Sequence, residues 1–182
     1  MITLPNHLLT DNNLWGLSVQ HSPIALWVLE NILNTYKPEI IIEIGTGFGG
    51  VTVYLGTWAR LNSARVLSID HKDYLKNPKY FIGLPVNRII NDAFCNDTRA
   101  CVRKAAKHRC LIYCDGGNKT KELAVFSKFV RTGSVIGCHD YTTEVFPANV
   151  DDYMDKNNFS KVVNAQQMRQ LFTLQMFWEK TA

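Results

Sequence analysis

The stretch from Glu39 to Gly50, EIIIEIGTGFGG, constrains the architecture more than any other part of the chain. Its apolar run is continuous and β-branched rather than alternating, the pattern of a strand covered on both faces. The glycines at 45, 47, 49 and 50 then allow a tight turn, and Val51 to about Arg60 reads as a helix. Ahead of the strand, PIALWVLENILNTY (Pro23 to Tyr36) is an amphipathic helix with Ser22 as N-cap and Pro23 at its first position, ended by Lys37-Pro38. A strand buried on both faces needs a helical layer on each side, so the expected class is α/β.

The rest of the chain keeps this rhythm. RVLSID (65–70), VNRIIND (86–92), CLIYCD (110–115) and SVIGCHD (134–140) read as further parallel strands, with helices over about Asp97–His108 and Lys119–Val130. The end breaks it: a short helix near Val150–Asn157 precedes SKVVN (160–164) and LFTLQMFW (171–178), separated by too few residues for a crossover helix, so these two should pair as an antiparallel hairpin. With 182 residues the simplest organisation is one domain. Within it, 1–38 is an N-terminal lid and helix segment, 39–140 a ligand-binding core, and 141–182 an acceptor loop with the terminal hairpin.

Composition narrows the class further. Hydrophobic residues at 46% and charged residues at 20% exclude a disordered chain. No uninterrupted apolar stretch approaches the roughly 18 residues of a membrane helix, and the start carries no basic leader, so a soluble cytoplasmic protein is expected. Five cysteines without a Cys-x-x-Cys pair, three of them in strand-like runs, read as free core thiols in a reducing compartment. The net charge of +4 is concentrated in Arg99, Arg103, Lys104 and Lys107 at helical spacing; a solvated helix face is the favoured reading and nucleic-acid binding the alternative.

A glycine turn between a buried strand and a helix lets backbone approach a ligand closely and aims helix N–H groups at it. Gly45-x-Gly47-x-x-Gly50 has dinucleotide spacing, and Asp70 ends the next strand 20 residues after Gly50, where a carboxylate can accept hydrogen bonds from ribose hydroxyls. NAD and S-adenosylmethionine (SAM) both fit. Glu43, at the apolar strand end, favours SAM: a carboxylate there needs a cationic or hydrogen-bonding partner, which a methionine ammonium supplies directly or through water and a pyrophosphate does not. Asp92, in Asn91-Asp92-Ala93 at the third strand end, can meet an adenine amino group.

Glu43-Ile44-Gly45-Thr46-Gly47-Phe48-Gly49, Ser68-Ile69-Asp70 and Asn91-Asp92-Ala93 together resemble the first three motifs of class I SAM-dependent methyltransferases. The upstream WGLSVQHSPIALWVLENILNTYKPEIIIEIGTGFGG resembles the entry segment of the cephalosporin hydroxylase-like and rhamnosyl O-methyltransferase group. The resemblance covers about Trp15 to Tyr141. It implies a single Rossmann-like, doubly wound, mainly parallel sheet of about seven strands with a reversed last strand. It also implies that Gly45, Thr46, Gly47 and Gly49 carry the methionine part of SAM, Asp70 the ribose, and Asp92 with Ala93 the adenine. His71 either packs against the base or is a surface histidine.

Ligands of open α/β sheets gather at the carboxyl ends of strands, which here read Asp115-Gly116-Gly117-Asn118-Lys119 and His139-Asp140-Tyr141. Asp115, His139 and Asp140 suit a divalent metal that binds substrate oxygens and lowers a hydroxyl pKa. Similar metal-dependent O-methyltransferases carry acidic residues at these strand ends; His139 departs from that pattern, which weakens Mg²⁺ and keeps Mn²⁺ or Fe²⁺ open. His139 can instead be a general base, its ordinary pKa of about 6.5 suiting a hydroxyl proton. Purely structural roles are the third reading. Asp115 also borders the cofactor, while Lys119 and Lys121 either hold an acidic substrate or are solvated.

The loop YTTEVFPAN (141–149) reads as the acceptor side, with Tyr141 and Phe146 as apolar walls, and the stretch through Trp15 and Gln20 as a lid. CDGGNK lacks the Asn/Asp-Pro-Pro-aromatic signature of base N-methylation. The expected function is therefore O-methylation of a small hydroxylated acceptor such as a sugar, with no membrane or nucleic-acid partner and with homo-oligomerisation open. The alternatives are an NAD-dependent oxidoreductase and a non-catalytic SAM- or nucleic-acid-binding module.

Overall fold

Ser22 Oγ accepts the backbone N–H of Ala25 at 3.1 Å, and with Pro23 behind it the chain enters helix α1 (Pro23–Tyr36) as the sequence predicts. The computed structural model describes residues 13–14, 16–75, 77–162 and 174–182. A two-residue ribbon, β1 (Asn13–Leu14) with β2 (Leu17–Ser18), precedes α1. There follow β3 (Ile40–Ile44), α2 (Gly50–Leu61), β4 (Arg65–Asp70), β5 (Val86–Ile90), α3 (Asn96–Ala105), β6 (Cys110–Cys114), α4 (Lys119–Phe126), β7 (Val135–Cys138), α5 (Pro147–Lys156), β8 (Phe159–Lys161) and β9 (Met176–Lys180).

Among the described residues seven strands form one sheet in the order β5-β4-β3-β6-β7-β9-β8. The pairs from β5 through β7 are parallel, and β9 runs antiparallel to both β7 and β8. This is the expected Rossmann-like sheet with a reversed last strand. Every residue of β3 and β6 is buried, with Ile41, Ile42, Leu111 and Ile112 at the centre of the core. Each such side chain contributes about 1.5–3 kcal/mol of burial, which is why the unbroken apolar runs end up in the middle of the sheet.

Several boundaries differ from the sequence reading. Helix α5 begins at Pro147, three residues before the expected Val150, because proline at the first helical position has no N–H to leave unpaired. The helix expected to run to Val130 stops at Phe126 and tightens into a 3-10 turn over Ser127–Phe129. The last strand starts at Met176, where the pairing to β7 begins; Leu171 to Thr173 lie outside the described residues. Helix α1 packs into the core through Leu26, Leu29 and Leu33, and Tyr54 and Trp58 of α2 bond to its Leu26 carbonyl and its Asn34 side chain. Trp15 lies outside the described residues.

Cys110, Cys114 and Cys138 are buried free thiols, as read from their strand context. Among the described residues no helix is long and apolar enough to cross a membrane.

Strand order reverses between β3 and β6, so the chain leaves these neighbours in opposite directions and opens a crevice beyond their carboxyl ends. Gly45 follows one strand and Asp115 the other, and the Asp115 N–H donates to the Ile44 carbonyl at 2.8 Å.

Candidate active site

The glycine turn is shaped by what lies against it. Gly45 has φ +100°, and a Cβ there would overlap the carbonyl group of Asp115. Gly49, at φ +86°, is the N-cap of α2, and a Cβ on Gly50 would run into the Ser18 carbonyl. The chain can therefore turn from β3 into α2 while touching both the β6 loop and the Ser18–Gln20 segment only if these positions carry no side chain.

This turn floors a cavity of about 350 Å³. Its walls include Gly45, Thr46, Gly47, Asp70, His71, Asp92, Ala93 and Asp115, with Ser18–Gln20 and Glu122. The carboxyl ends of β3, β4, β5 and β6 thus converge on one space, within the volume range of small-molecule sites.

Asp70 is nearly buried; its Oδ2 accepts the Gly47 N–H at 2.8 Å and its Oδ1 lies 2.9 Å from His71 Nδ1. His71 is exposed on the rim, its Nε2 3.3 Å from the Tyr74 hydroxyl. Asp92 is exposed and accepts the Phe94 N–H.

Glu43 sits elsewhere than expected. It is fully buried and is not a wall of the cavity. Its Oε2 accepts hydrogen bonds of 2.6 Å from both Thr52 and Ser68, and the Ser68 hydroxyl lies 2.6 Å from that of Thr46, which does line the cavity. The other oxygen, Oε1, is buried with no hydrogen-bond partner among the described residues. Burial raises the Glu43 carboxyl to about 7 against the pull of the two hydroxyl donors.

Gly116, at the other side of the cavity, leaves room for Glu122, whose carboxylate accepts the N–H groups of Gly116 and Asn118 at 3.2 Å each. Glu122 was missed in the sequence. Its signal was its place in the first turn of a helix capped by Asn118, where a carboxylate reaches back to the loop N–H groups.

Asp115 joins the cavity to a second set of polar residues. Lys119 Nζ is 3.8 Å from Asp115 Oδ1, 3.0 Å from Asp140 Oδ2 and 2.7 Å from Glu144 Oε2. His139 Nδ1 is 3.0 Å from Asp140 Oδ1 and 3.8 Å from Asp115 Oδ1. His21, from the segment before α1, brings its Nε2 to 3.4 Å from Asp115 Oδ2, and its ring centre lies 4.1 Å from that of His139, the two planes tilted by 33°.

Burial pushes the Asp115 carboxyl well above the usual carboxylate range, more than Lys119 pulls it down. Burial lowers His139, and together with the neighbouring His139 ring it brings His21 down to about 4. Burial would raise Asp140, but Lys119 and His139 leave it below its ordinary value. Lys119 is raised because Glu144 and Asp140 outweigh its burial.

Ligand-capable atoms of His21, Asp115 and His139 lie within 4.8 Å of one another; Asp140, expected beside Asp115 and His139 as a metal ligand, lies outside that group, its Oδ2 3.0 Å from Lys119 Nζ. One expectation needs correction. Tyr141 does not form an acceptor wall: it is buried against Trp178 at 5.8 Å, with its hydroxyl on Asp151. Phe146 is half exposed. Arg99, Arg103, Lys104 and Lys107 line no part of the cavity, and Lys121 packs its ammonium 3.9 Å from the Phe94 ring centre.

A family model described as Rhamnosyl O-methyltransferase/CmcI matches residues 6–173. No curated protein matches in sequence. Among solved structures, the apo form of CmcI-N160 superposes with a TM-score of 0.72 at 15% identity, covering 92% of this chain and 75% of that one. The Mg-SAM structure of cmcI-D160 gives 0.69 at 14%, covering 91% and 75%. The O-methyltransferase TomG from Streptomyces achromogenes, involved in tomaymycin synthesis and solved with SAM, gives 0.59 at 14%, covering 93% and 84%. These likenesses show a shared fold.

Proposed function

The chain belongs to the Rhamnosyl O-methyltransferase/CmcI family of SAM-dependent methyltransferases, and from that premise we propose that it moves the SAM methyl group to a hydroxyl oxygen of a small acceptor, with a sugar as the favoured class. One observation carries this reading: Asp115 is at once a wall of the glycine-floored cavity and a member of the His139–Asp140–Lys119 cluster, so donor and acceptor chemistry share a residue.

The residues fit SAM. Gly45, Thr46 and Gly47 border the part of the cavity where its methionine part would lie, whereas Gly49, also expected there, is not among the cavity walls and faces Leu75. Asp70 faces the cavity with two oxygens suited to a ribose diol, Asp92 and Ala93 border the adenine end, and His71 covers the rim. Glu43 holds Ser68, and through it Thr46, so it positions the loop from beneath.

Transfer breaks the bond between sulfur and the methyl carbon and forms one between that carbon and the acceptor oxygen, leaving a thioether and releasing the hydroxyl proton. The rate depends on an in-line approach, which positioning supplies. Asp115 and His139 would hold a divalent cation, which when bound lowers the hydroxyl pKa; solved relatives named with Mg support this. Lys119 restrains Asp140 and Glu144 at the acceptor side. The His139–Asp140 pair also supports a metal-free route in which His139 takes the proton and Asp140 stabilises the imidazolium.

Calorimetric titration with S-adenosylhomocysteine tests the cofactor, and transfer of labelled methyl from SAM to a panel of sugars and phenols, with and without chelator, tests the reaction. Binding with a micromolar or tighter constant and labelled ether product are expected. Absence of heat with either cofactor form overturns the reading.

A further inference from the structure

Within the proposed methyltransferase, on whose reading the metal's role rests, the geometry points to His21 as a metal ligand that, with His139 and Asp115, forms a two-imidazole, one-carboxylate site for a first-row transition dication rather than Mg²⁺. Three facts converge. The ligand-capable atoms of these residues already lie within 4.8 Å of one another. His21 Nδ1 lies 3.0 Å from the Val19 carbonyl, which can only accept, so Nδ1 carries the proton in the neutral ring and Nε2 presents its lone pair. Asp115 Oδ2 stands 3.4 Å from that nitrogen.

The Tyr113 hydroxyl meets the Nε2 lone pair at 2.9 Å, and Asp115 Oδ2 beside it is a second acceptor that a cation would join to that nitrogen. A backbone carbonyl holding the far nitrogen is the usual second-layer support of a metal-bound histidine. The Tyr113 hydroxyl, 2.9 Å from the same Nε2 and 2.6 Å from Gln175 Nε2, supports the ring until a metal takes its place. His139 Nδ1 lies 3.0 Å from Asp140 Oδ1 and 3.8 Å from Asp115 Oδ1, so Asp140 orients that ring beside Asp115. Asp140 is thereby a positioning residue, its second oxygen 3.0 Å from Lys119 Nζ.

Imidazole nitrogen is a poor ligand for Mg²⁺, which takes oxygen, and a good one for Mn²⁺, Fe²⁺, Co²⁺ or Zn²⁺. The relatives solved with Mg therefore need not share this chain's preference.

The test uses chelator-stripped full-length protein and metal alone, with no methyl donor, so its outcome is separate from that of the methyltransferase reading. Cu²⁺ electron paramagnetic resonance should show superhyperfine coupling to two nitrogens in the wild type and one in His21→Ala, and Co²⁺ affinity should fall at least about 10-fold in that variant. Asp140→Asn should keep the two-nitrogen spectrum. One nitrogen or none in the wild type overturns the inference without any variant, and so does undiminished Co²⁺ affinity in a folded His21→Ala protein.

Discussion

Asp70 Oδ2 accepts the backbone N–H of Gly47 at 2.8 Å, tying the end of β4 to the turn that follows β3. The carboxylate proposed to hold a ribose is therefore also the clamp on the glycine loop. Asp70→Ala removes both functions. Hydrogen bonds to a charged group contribute about 1.5–3 kcal/mol each, so S-adenosylhomocysteine affinity should fall at least about 10-fold by calorimetry. An unchanged constant would remove Asp70 from the binding site.

Gly45→Ala introduces a Cβ onto the Asp115 carbonyl at a backbone φ of +100°. Strain of this kind costs on the order of 1–3 kcal/mol, and the collision with backbone adds to it. Urea denaturation should show a lower midpoint with an unchanged slope, and cofactor binding should be lost, because Gly45 touches the loop that bears Asp115.

Glu43 makes stability depend on pH. Its folded pKa, about 7, lies above the ordinary value of 4.5, so the folded state holds the proton more tightly. The favourable contribution is complete below pH 4.5 and is lost as pH rises to about 7, a swing on the order of 3 kcal/mol. The urea midpoint of the cofactor-free protein should fall across that window, and Glu43→Gln should flatten the fall.

Lys119→Met should leave Asp140 without its 3.0 Å partner and Glu144 without its 2.7 Å one. Lys119 is buried while Glu144 is mostly exposed, so the loss falls chiefly on Asp140. A stability loss on the order of 2 kcal/mol is expected in thermal or urea melts. Methyl transfer should fall through kcat more than through the cofactor constant, since Asp140 orients His139.

The element types were legible in the chain because each rests on local rules. The apolar run of Ile40–Ile44, the Ser22-Pro23 helix start and the glycines after β3 are settled by neighbours in sequence, and all appear in the fold. The hairpin end was legible too, though its last strand starts only where β7 offers partners at Met176.

The candidate site was legible where its residues close a strand. Asp70, Asp92 and Asp115 follow directly from strand ends gathering on one edge of a parallel sheet. Glu43, by contrast, was one residue too deep: two steps before the glycine, it lies below the turn, and only Thr52 on α2 and Ser68 on β4 reveal what it holds.

By itself the sequence determined the strand and helix order, the glycine turn and the acidic strand ends, since those depend on periodicity, steric freedom and capping within a few residues. Only the tertiary structure decided that His21 meets Asp115 and His139, that Asp140 turns to Lys119, and that Tyr141 packs on Trp178. Such partners lie far apart in the chain, and no local rule distinguishes one buried imidazole or carboxylate from another. They are chosen by the reversal of strand order between β3 and β6, which brings the segment before α1 and the ends of β6 and β7 around a common space.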